Sequence, residues 1–354
     1  MYTKLEVSNF RAFSSIHVAP LNRLNLIAGD NNIGKTGILE ALYFLHADFD
    51  GLKSLPSLFR RPQPKISGQS RDVVDNFWLW LFHKHDLTQP WTLSVEGESA
   101  KQRLFRGELQ IGELGRERPF KEGMNPSLAE LHVSMTGEQR NTAEAWYKLA
   151  QGFNPYRGGP LESPYLVSAI STRFQAPSED AELFNAIAVR NEDEELVECL
   201  RLVEPRLSKL KYLRLPDHEF PYVYADIGFG RGRNLIPATQ LGQGFARLLT
   251  LFATIMVSKT RILLIDEFEN GLQHDALTPI WKALDQLARG RDIQVFATTH
   301  SYECIRAAHD AASEATDYDL GVIRLQWNRS KEVEAVVLDR EMIETALDAR
   351  LEVR

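Results

Sequence analysis

Cysteine is scarce in this sequence: only Cys199 and Cys304 are present, far apart and flanked by residues that predict helices. Two isolated cysteines make neither a disulfide framework nor the paired spacing of a zinc site. Such usage is typical of proteins that work in a reducing compartment. We therefore expect a cytoplasmic protein that holds no structural disulfide and no zinc ion.

Long hydrophobic runs and an export signal are lacking as well. Apolar stretches such as Leu248–Val257 are far shorter than the roughly 20 residues that cross a bilayer. The first residues, Met1–Glu6, carry no cationic segment followed by an apolar core and a cleavage site. The sequence therefore predicts a soluble chain with no membrane span and no export.

Positive charge is not in excess, because 41 Lys and Arg residues stand against 48 Asp and Glu residues, a net charge of −7. This balance argues against a basic scaffold that binds polyanions and leaves only local basic patches. The hydrophobic share of 44% and the charged share of 25% exclude a disordered chain. Long heptad repeats are also absent, which excludes extended coiled-coil arms.

The chain of 354 residues exceeds the roughly 250 to 300 residues at which single hydrophobic cores stop growing. Strand and helix patterns alternate at its two ends, whereas prolines and glycines interrupt the segment between them. We therefore predict three regions. They are an amino-terminal part of the main domain at 1–50, an inserted globular subdomain at 51–162, and the carboxyl-terminal part of the main domain at 163–354.

Within these regions, periodicity predicts individual elements. Tyr165–Ile170 is expected to be a strand that returns to the main sheet. Ala181–Leu213 is rich in helix formers, and its acidic run Glu192–Glu195 is either a solvated helix face, which we favour, or an interaction surface. The other expected elements are strands at Trp91–Val95, Tyr222–Ile227, Ile262–Ile265 and Ile293–Ala297, and helices at Phe245–Val257 and Asp275–Arg289.

The segment Gly29–Thr36 reads GDNNIGKT and fits the phosphate-binding pattern G-x-x-x-x-G-K-[ST] without a mismatch. Its glycines let backbone N–H groups point at phosphate oxygens, and the helix that follows presents its positive end to the same anion. The lysine is expected to neutralise the β- and γ-phosphates, and the threonine hydroxyl to bind Mg²⁺. The residues assigned to nucleotide binding here are Gly29, Asn31, Asn32, Gly34, Lys35 and Thr36.

A wholly apolar strand, Ile262–Ile265, ends in two adjacent carboxylates, Asp266 and Glu267. The carboxyl ends of parallel strands are where doubly wound sheets bind ligands. We predict that Asp266 holds Mg²⁺ and that Glu267 orients and deprotonates the attacking water. His300 follows the next predicted strand, where it is expected to contact the γ-phosphate and report its loss.

Together these segments resemble one family. Leu5–Phe13 (LEVSNFRAF), Leu24–Asn32 (LNLIAGDNN) and Leu39–Leu42 (LEAL) are similar to the opening of ABC-type ATPases of the SMC, RecF and OLD (overcoming lysogenization defect) group. The segments that resemble the OLD-like branch in particular are Leu241–Phe245 (LGQGF), Asp266–Leu272 (DEFENGL) and Phe296–Ser301 (FATTHS).

The resemblance implies an α/β P-loop NTPase fold of the ABC/SMC head type, with a mixed central sheet flanked by helices and a globular α+β insertion. It also implies ATP and Mg²⁺ as ligands and a homodimer, or a higher homo-oligomer, formed through an ATP sandwich. In such a dimer the P-loop of one subunit meets the signature segment of the other. By position that signature is Gly242, Gln243 and Gly244, in which Gly242 replaces the usual serine.

Two further assignments follow from the resemblance. Asn270–His274 is expected in the loop that contacts the second subunit. The residue of the Q-loop is either Gln175 or Arg173, and the sequence does not decide between them.

The OLD nucleases append a Toprim domain with metal-binding carboxylates, and we expect none here because only 54 residues of this sequence follow His300. Asp317 and Asp319 have an Asp-x-Asp spacing, but a loop before the predicted strand Gly321–Leu325 explains them better. A direct nuclease is therefore disfavoured, and the missing Ser-Gly-Gly signature disfavours a transporter subunit.

With the nuclease and the transporter subunit disfavoured, the sequence supports two functions. The leading one is a dimeric ATPase switch, the sensor component of a bacterial anti-phage system that controls a separately encoded nuclease or toxin. The alternative is a RecF-like repair clamp that closes on duplex DNA when it binds ATP. The clamp's candidate phosphate contacts are Arg60, Arg61, Lys65, Lys209, Lys211, Arg214, Arg231 and Arg233.

Overall fold

A computed structural model of the chain shows how the predicted segments are arranged. The residues it describes are 1–46, 58–59, 78–97, 103–113, 116–124, 129–136, 142–148, 157–158, 166–171, 176–216, 219–228 and 235–349.

The helices and strands alternate most regularly in the second half of the chain. The helices are α1 (Lys35–His46), α2 (Pro177–Val189), α3 (Asp193–Arg201), α4 (Gln243–Val257), α5 (His274–Gly290), α6 (Tyr302–Ser313) and α7 (Arg340–Asp348). The strands are β1 (Lys4–Phe10), β2 (Phe13–Val18), β3 (Leu24–Gly29), β4 (Trp91–Glu96), β5 (Arg103–Glu113), β6 (Arg116–Pro119), β7 (Ala129–Thr136), β8 (Thr142–Lys148), β9 (Arg157–Gly158), β10 (Leu166–Ile170), β11 (Lys209–Leu213), β12 (Tyr222–Asp226), β13 (Leu235–Pro237), β14 (Thr260–Ile265), β15 (Gln294–Thr298), β16 (Leu320–Trp327) and β17 (Val333–Leu338).

Six strands form a mixed sheet in the order β10-β14-β15-β3-β16-β17, parallel except for the last pair. Ile265 on β14 pairs with Ala297 on β15, and Thr298 pairs with Ile27 on β3. This register brings the carboxyl ends of three neighbouring strands to one edge of the sheet. The P-loop, the acidic pair and the residues after β15 follow from those ends, so the fold itself assembles the predicted site.

A second sheet is antiparallel and runs β2-β1-β4-β5-β7-β8-β9, with β6 paired to β5. Here β1 pairs with both β2 and β4, so strands of the middle region extend the sheet that the first residues begin. The prediction of antiparallel strands in that region, including one at Trp91–Val95, is confirmed. The region boundaries at 50 and 162 stay a prediction.

Helix α1 lies between the two large sheets, and every residue from Gly37 to His46 is buried. The central strands β3, β14 and β15 are buried on both faces, apart from Arg261 on β14, as their largely apolar sequences require. Leu264 and Phe296 face α1, whereas Leu263 and Val295 face the core formed with α4, α5 and α6. The P-loop helix is therefore held firmly on the sheet edge that carries the acidic pair.

The expected strand at Tyr165–Ile170 is present as β10 in the main sheet, although Tyr165 itself lies outside the described residues. The helix prediction for Ala181–Leu213 is wrong at its end, where Lys209–Leu213 forms β11. The alternation of KLKYL lets Leu210 face the core while β11 pairs with β12, and this outweighs helix propensity. No helix in the described part of the chain combines the length and apolarity that a membrane span requires.

Candidate functional site

The P-loop connects β3 to α1, as predicted, and its two glycines have conformations that other residues rarely adopt. Gly29 has φ +145°, and a Cβ there would lie 2.7 Å from the carbonyl oxygen of Leu325. Gly34 has φ +113°, and a Cβ there would lie 2.9 Å from Ala12 and Phe13. Both positions therefore require glycine. The loop leads into the first turn of α1, whose backbone N–H groups lack intrahelical partners.

Lys35 lies over the loop from which it emerges. Its Nζ donates to the carbonyl oxygens of Gly29 at 2.6 Å and Asp30 at 2.9 Å. Burial lowers the pKa of Lys35, and the negative charges around it, that of Glu269 first, oppose this effect. The ammonium group thus lies at the mouth of the loop, bound to carbonyls that phosphate oxygens can replace.

The structure brings Thr36 and Asp266 together across 230 residues of sequence. The Thr36 hydroxyl lies 3.3 Å from Asp266 Oδ1, which also accepts a hydrogen bond of 2.8 Å from the Thr298 hydroxyl. Hydroxyl and carboxylate oxygens are the ligands Mg²⁺ prefers, and this ion usually takes only one or two from the protein. The donor set at Thr36 and Asp266 therefore fits magnesium. Among the described residues, no three His, Cys, Asp or Glu side chains lie together as a separate metal site.

Glu267 occupies a strained turn directly after β14. Its φ is +49°, a left-handed conformation that is uncommon for a residue other than glycine. Its N–H donates to the Thr298 hydroxyl at 2.8 Å, and Arg247 donates to the carbonyl oxygens of Asp266 and Glu267 at 2.5 and 2.8 Å. The sequence did not single out Thr298 or Arg247, since their roles depend on contacts between distant segments.

His300 lies at the tip of β15, as predicted, and is joined to Glu269. Glu269 Oε1 lies 2.9 Å from the backbone N of His300 and 3.0 Å from its Nδ1. The Glu269 side chain is 12% exposed, whereas that of His300 is 55% exposed. Glu269 was within a segment used for the family resemblance, but nothing in the sequence assigned it a partner.

One open pocket of about 550 Å³ contains most of the predicted nucleotide residues. This volume lies within the range of small-ligand sites. Segments from the middle region complete one wall of the pocket. Its lining residues are Arg11, Ala12, Asn31, Asn32, Gly34, Lys35, Thr36, Gly37, Trp80, Phe82, Lys84, His85, Asp266, Glu267, Thr298 and His300.

The predicted signature residues do not line this pocket. Gly242 has φ +101° and precedes α4, which begins at Gln243. A Cβ on Gly244 would lie 2.4 Å from the carbonyl oxygen of Gly271, so the signature packs against the segment Asn270–His274 of the same chain. The two segments predicted to meet a second subunit are therefore adjacent to each other and separate from the P-loop.

Several other predicted residues fall elsewhere. Asp319 accepts a hydrogen bond from the Arg23 N–H at 2.8 Å, and Asp317 lies 3.9 Å from Arg289, so this pair makes structural loop contacts. The acidic run begins α3, where carboxylates stabilise the positive end of the helix.

The candidate DNA contacts and Q-loop residues lie either on the surface of the protein or outside the residues that the structure describes. Lys209, Lys211 and Arg214 lie on or just after β11, and Lys209 is 3.9 Å from Asp226. The predicted residues outside the described part of the chain are Arg60, Arg61, Lys65, Arg173, Gln175, Arg231 and Arg233.

Two family models match the chain. One, described as "AAA domain, putative AbiEii toxin, Type IV TA system", matches residues 169–306, and the other, described as "AAA ATPase domain", matches residues 1–96. The first region contains the acidic pair and the second contains the P-loop.

Among curated proteins, the chain is 22% identical over 336 residues to an "ATP/GTP phosphatase" of Helicobacter pylori, a match that covers 86% of each chain. It is also 49% identical over 41 residues to the "DNA replication and repair protein RecF" of Idiomarina loihiensis, a short match of 12% of each chain. Together with the family models, these matches support an ATP-hydrolysing enzyme with AAA-type ATPase sequence.

Among solved structures, the chain resembles an SMC head crystallised with the C-terminal winged-helix domain of ScpA. The TM-score is 0.50 at 14% identity, and the match covers 98% of this chain and 99% of that one. The fold is therefore that of an SMC head, as the sequence predicted. At this identity the likeness concerns the fold alone.

Proposed function

We propose that this chain is an OLD-like ATPase that works as a nucleotide-driven dimeric switch. One observation carries the proposal: Lys35, Thr36, Asp266, Glu267 and His300 converge on a single open pocket. Each residue type matches a task in phosphoryl transfer to water. The relative named "ATP/GTP phosphatase" adds support for nucleoside triphosphate hydrolysis.

In the proposed reaction, Lys35 leaves the loop carbonyls and neutralises the phosphates that enter the loop. Glu267 orients the attacking water and accepts its proton. Hydrogen bonds from its backbone to Thr298 and from Arg247 hold it at the sheet edge for this role. His300, held by Glu269, contacts the terminal phosphate. When bound at Thr36 and Asp266, Mg²⁺ supplies positive charge to the phosphate oxygens.

Dimerisation is part of the proposal because the pocket formed by the described residues does not include the signature. It is open to solvent, and the signature residues Gly242–Gly244 lie elsewhere, beside Gly271. A second copy that places its signature over the bound nucleotide would close the pocket. The signature then contributes backbone N–H groups at the start of α4, which suit a phosphate even without a serine hydroxyl.

We further propose that the switch controls a separately encoded nuclease or toxin in an anti-phage system. The family model that matches residues 169–306 is described as a putative toxin of a Type IV TA system, which supports a place for this chain in a system of more than one component. Among the described residues, no group of three or more His, Cys, Asp or Glu side chains lies together as a metal site. A direct nuclease has no corresponding site in that part of the chain.

A RecF-like DNA clamp is the alternative, supported by the short matches to RecF proteins. Duplex DNA binding that requires ATP and weakens steeply with salt would favour the clamp. Absence of such binding at low salt would count strongly against the clamp.

ATP hydrolysis by purified variants tests the site. Lys35→Ala should lose nucleotide binding and turnover. Glu267→Gln should bind ATP but hydrolyse it at least about 100-fold more slowly than the wild type. Lys259→Ala is the matched control, because Lys259 is exposed at the opposite end of β14. This variant should hydrolyse ATP normally. Normal turnover by both site variants would contradict the assignment.

A further inference from the structure

Trp80 is an exposed aromatic residue on the wall of the nucleotide pocket. It lines the same cavity as Lys35 and Thr36. Trp80 is 49% exposed, although its neighbours in the short helical turn Leu79–Leu81 are 6% and 0% exposed. The two leucines thus hold the turn in the core and leave the tryptophan at the pocket.

The position of Trp80 is tied to the P-loop helix. Arg11 donates from its backbone N–H to the carbonyl oxygen of Leu81 at 2.8 Å and from its guanidinium to that of Trp80 at 3.1 Å. The same guanidinium lies 2.7 Å from Glu40, a buried carboxylate on α1. Arg11 therefore couples the turn that carries Trp80 to the helix that begins at the phosphate site.

The segment after Trp80 bends back against its ring. Lys84 and His85 have φ of +48° and +59°, and the His85 ring lies 4.4 Å from that of Trp80. Glu332 anchors this bend, since it pairs with Lys84 and lies 3.2 Å from His83 Nε2. The indole is thus held in the pocket wall by a ring that meets it at an interplanar angle of 78° and that also lines the pocket.

We propose that Trp80 is the platform on which the base of the bound nucleotide stacks. This inference rests on the proposed function, because it takes the pocket to hold a nucleotide with its phosphates at Lys35. Stacking on an aromatic ring accepts every base, since each base has a π-face. The platform therefore predicts binding of adenine and guanine nucleotides with similar affinity.

Calorimetric binding of ADP, GDP and pyrophosphate, none of which needs turnover, tests the platform. Trp80→Ala should weaken ADP and GDP about tenfold, equivalent to about 1.4 kcal/mol, and leave pyrophosphate unchanged. Trp80→Phe should retain most of the affinity but lose the quenching of tryptophan fluorescence by ADP. Trp327→Ala is the matched control, because Trp327 is 56% exposed and lies outside the pocket.

Two results would overturn the platform while leaving the proposed function intact: unchanged ADP affinity in Trp80→Ala, or equal losses for ADP and pyrophosphate. The second result would mean that Trp80 only shapes the phosphate site. If the wild-type protein bound neither ADP nor pyrophosphate, the proposed function would fail, and the platform with it.

Discussion

Glu269 Oε1 lies within 3.0 Å of both the backbone N and the Nδ1 of His300, so one carboxylate fixes a histidine at the edge of the nucleotide pocket. Without this contact a half-exposed imidazole would sample several rotamers. The structure therefore makes Glu269 a positioning residue for the proposed phosphate contact of His300.

The first prediction follows from that contact. Glu269→Ala should lower the ATP turnover number about 10- to 100-fold, the usual contribution of a carboxylate that orients a functional histidine. The dissociation constant for ADP should change little, because Lys35 and the loop still bind the phosphates. Steady-state hydrolysis and ADP titration check both parts. Equal damage to ADP binding and turnover would show that Glu269 merely supports the fold.

The second prediction concerns the buried pair of Arg11 and Glu40, whose charged atoms lie 2.7 Å apart and whose carboxylate is fully buried. Glu40→Gln should lower the free energy of unfolding by about 3 kcal/mol, because it leaves a buried guanidinium without its counter-charge. Denaturant unfolding measures this loss. The control is Glu344→Gln, which removes the exposed pair with Arg340 at 2.8 Å and should cost less than about 1 kcal/mol. Similar losses in the two variants would contradict the prediction.

The third prediction is a pH dependence of stability at Asp180. Burial raises the pKa of this carboxyl to about 6 in the folded protein, from the usual 3.8, although the Thr250 hydroxyl bonded to it at 2.7 Å lowers it in part. Between these values the folded state keeps a proton that the unfolded state releases. The contribution of Asp180 to the free energy of unfolding therefore falls as the pH rises from about 4 to 6, and it stays low above that range.

Asp180→Asn should thus be more stable than the wild type by about 1 to 3 kcal/mol at pH 7.5, roughly the free energy equivalent of the pKa change. The gain should vanish near pH 4. Unfolding in denaturant at the two pH values measures it, with the exposed Asp310→Asn on α6 as the control. A gain that is the same at both pH values would rule out titration of Asp180 as its cause.

The fourth prediction concerns the signature. A Cβ on Gly244 would lie 2.4 Å from the backbone oxygen of Gly271, so Gly244→Ala must displace one segment from the other. We expect a loss of about 1 to 3 kcal/mol in unfolding free energy, the usual cost of overpacking. Gly290→Ala, where a Cβ meets nothing within 4 Å, is the control and should melt like the wild type. A wild-type melting temperature for Gly244→Ala would contradict the close packing seen here.

The sequence predicted the strands, the loop glycines and the helices at this sheet edge well because their signals are local. The P-loop glycines, the apolar run before Asp266 and the helical spacing of α5 each depend on neighbours within a few residues. Periodicity failed at Lys209–Leu213, where pairing with β12 outweighs helix propensity. The long-range contacts could not be predicted either.

The roles of Arg247, Glu269 and Trp80 illustrate that limit. Each depends on a side chain that reaches a segment 19 to 69 residues away, as from Arg247 to Asp266, from His300 to Glu269 and from Arg11 to Trp80. No local pattern marks such a pairing. It arises only when the sheet order brings the segments together.

If ATP joins two copies of this chain, the molar mass of Glu267→Gln should depend on Mg-ATP. Light scattering after size exclusion should give 40.3 kDa without nucleotide and about twice that mass with it. The double variant Lys35→Ala with Glu267→Gln should keep the lower mass throughout. A Glu267→Gln protein that binds ATP and stays at 40.3 kDa, or that is dimeric regardless of ATP, would contradict the switch.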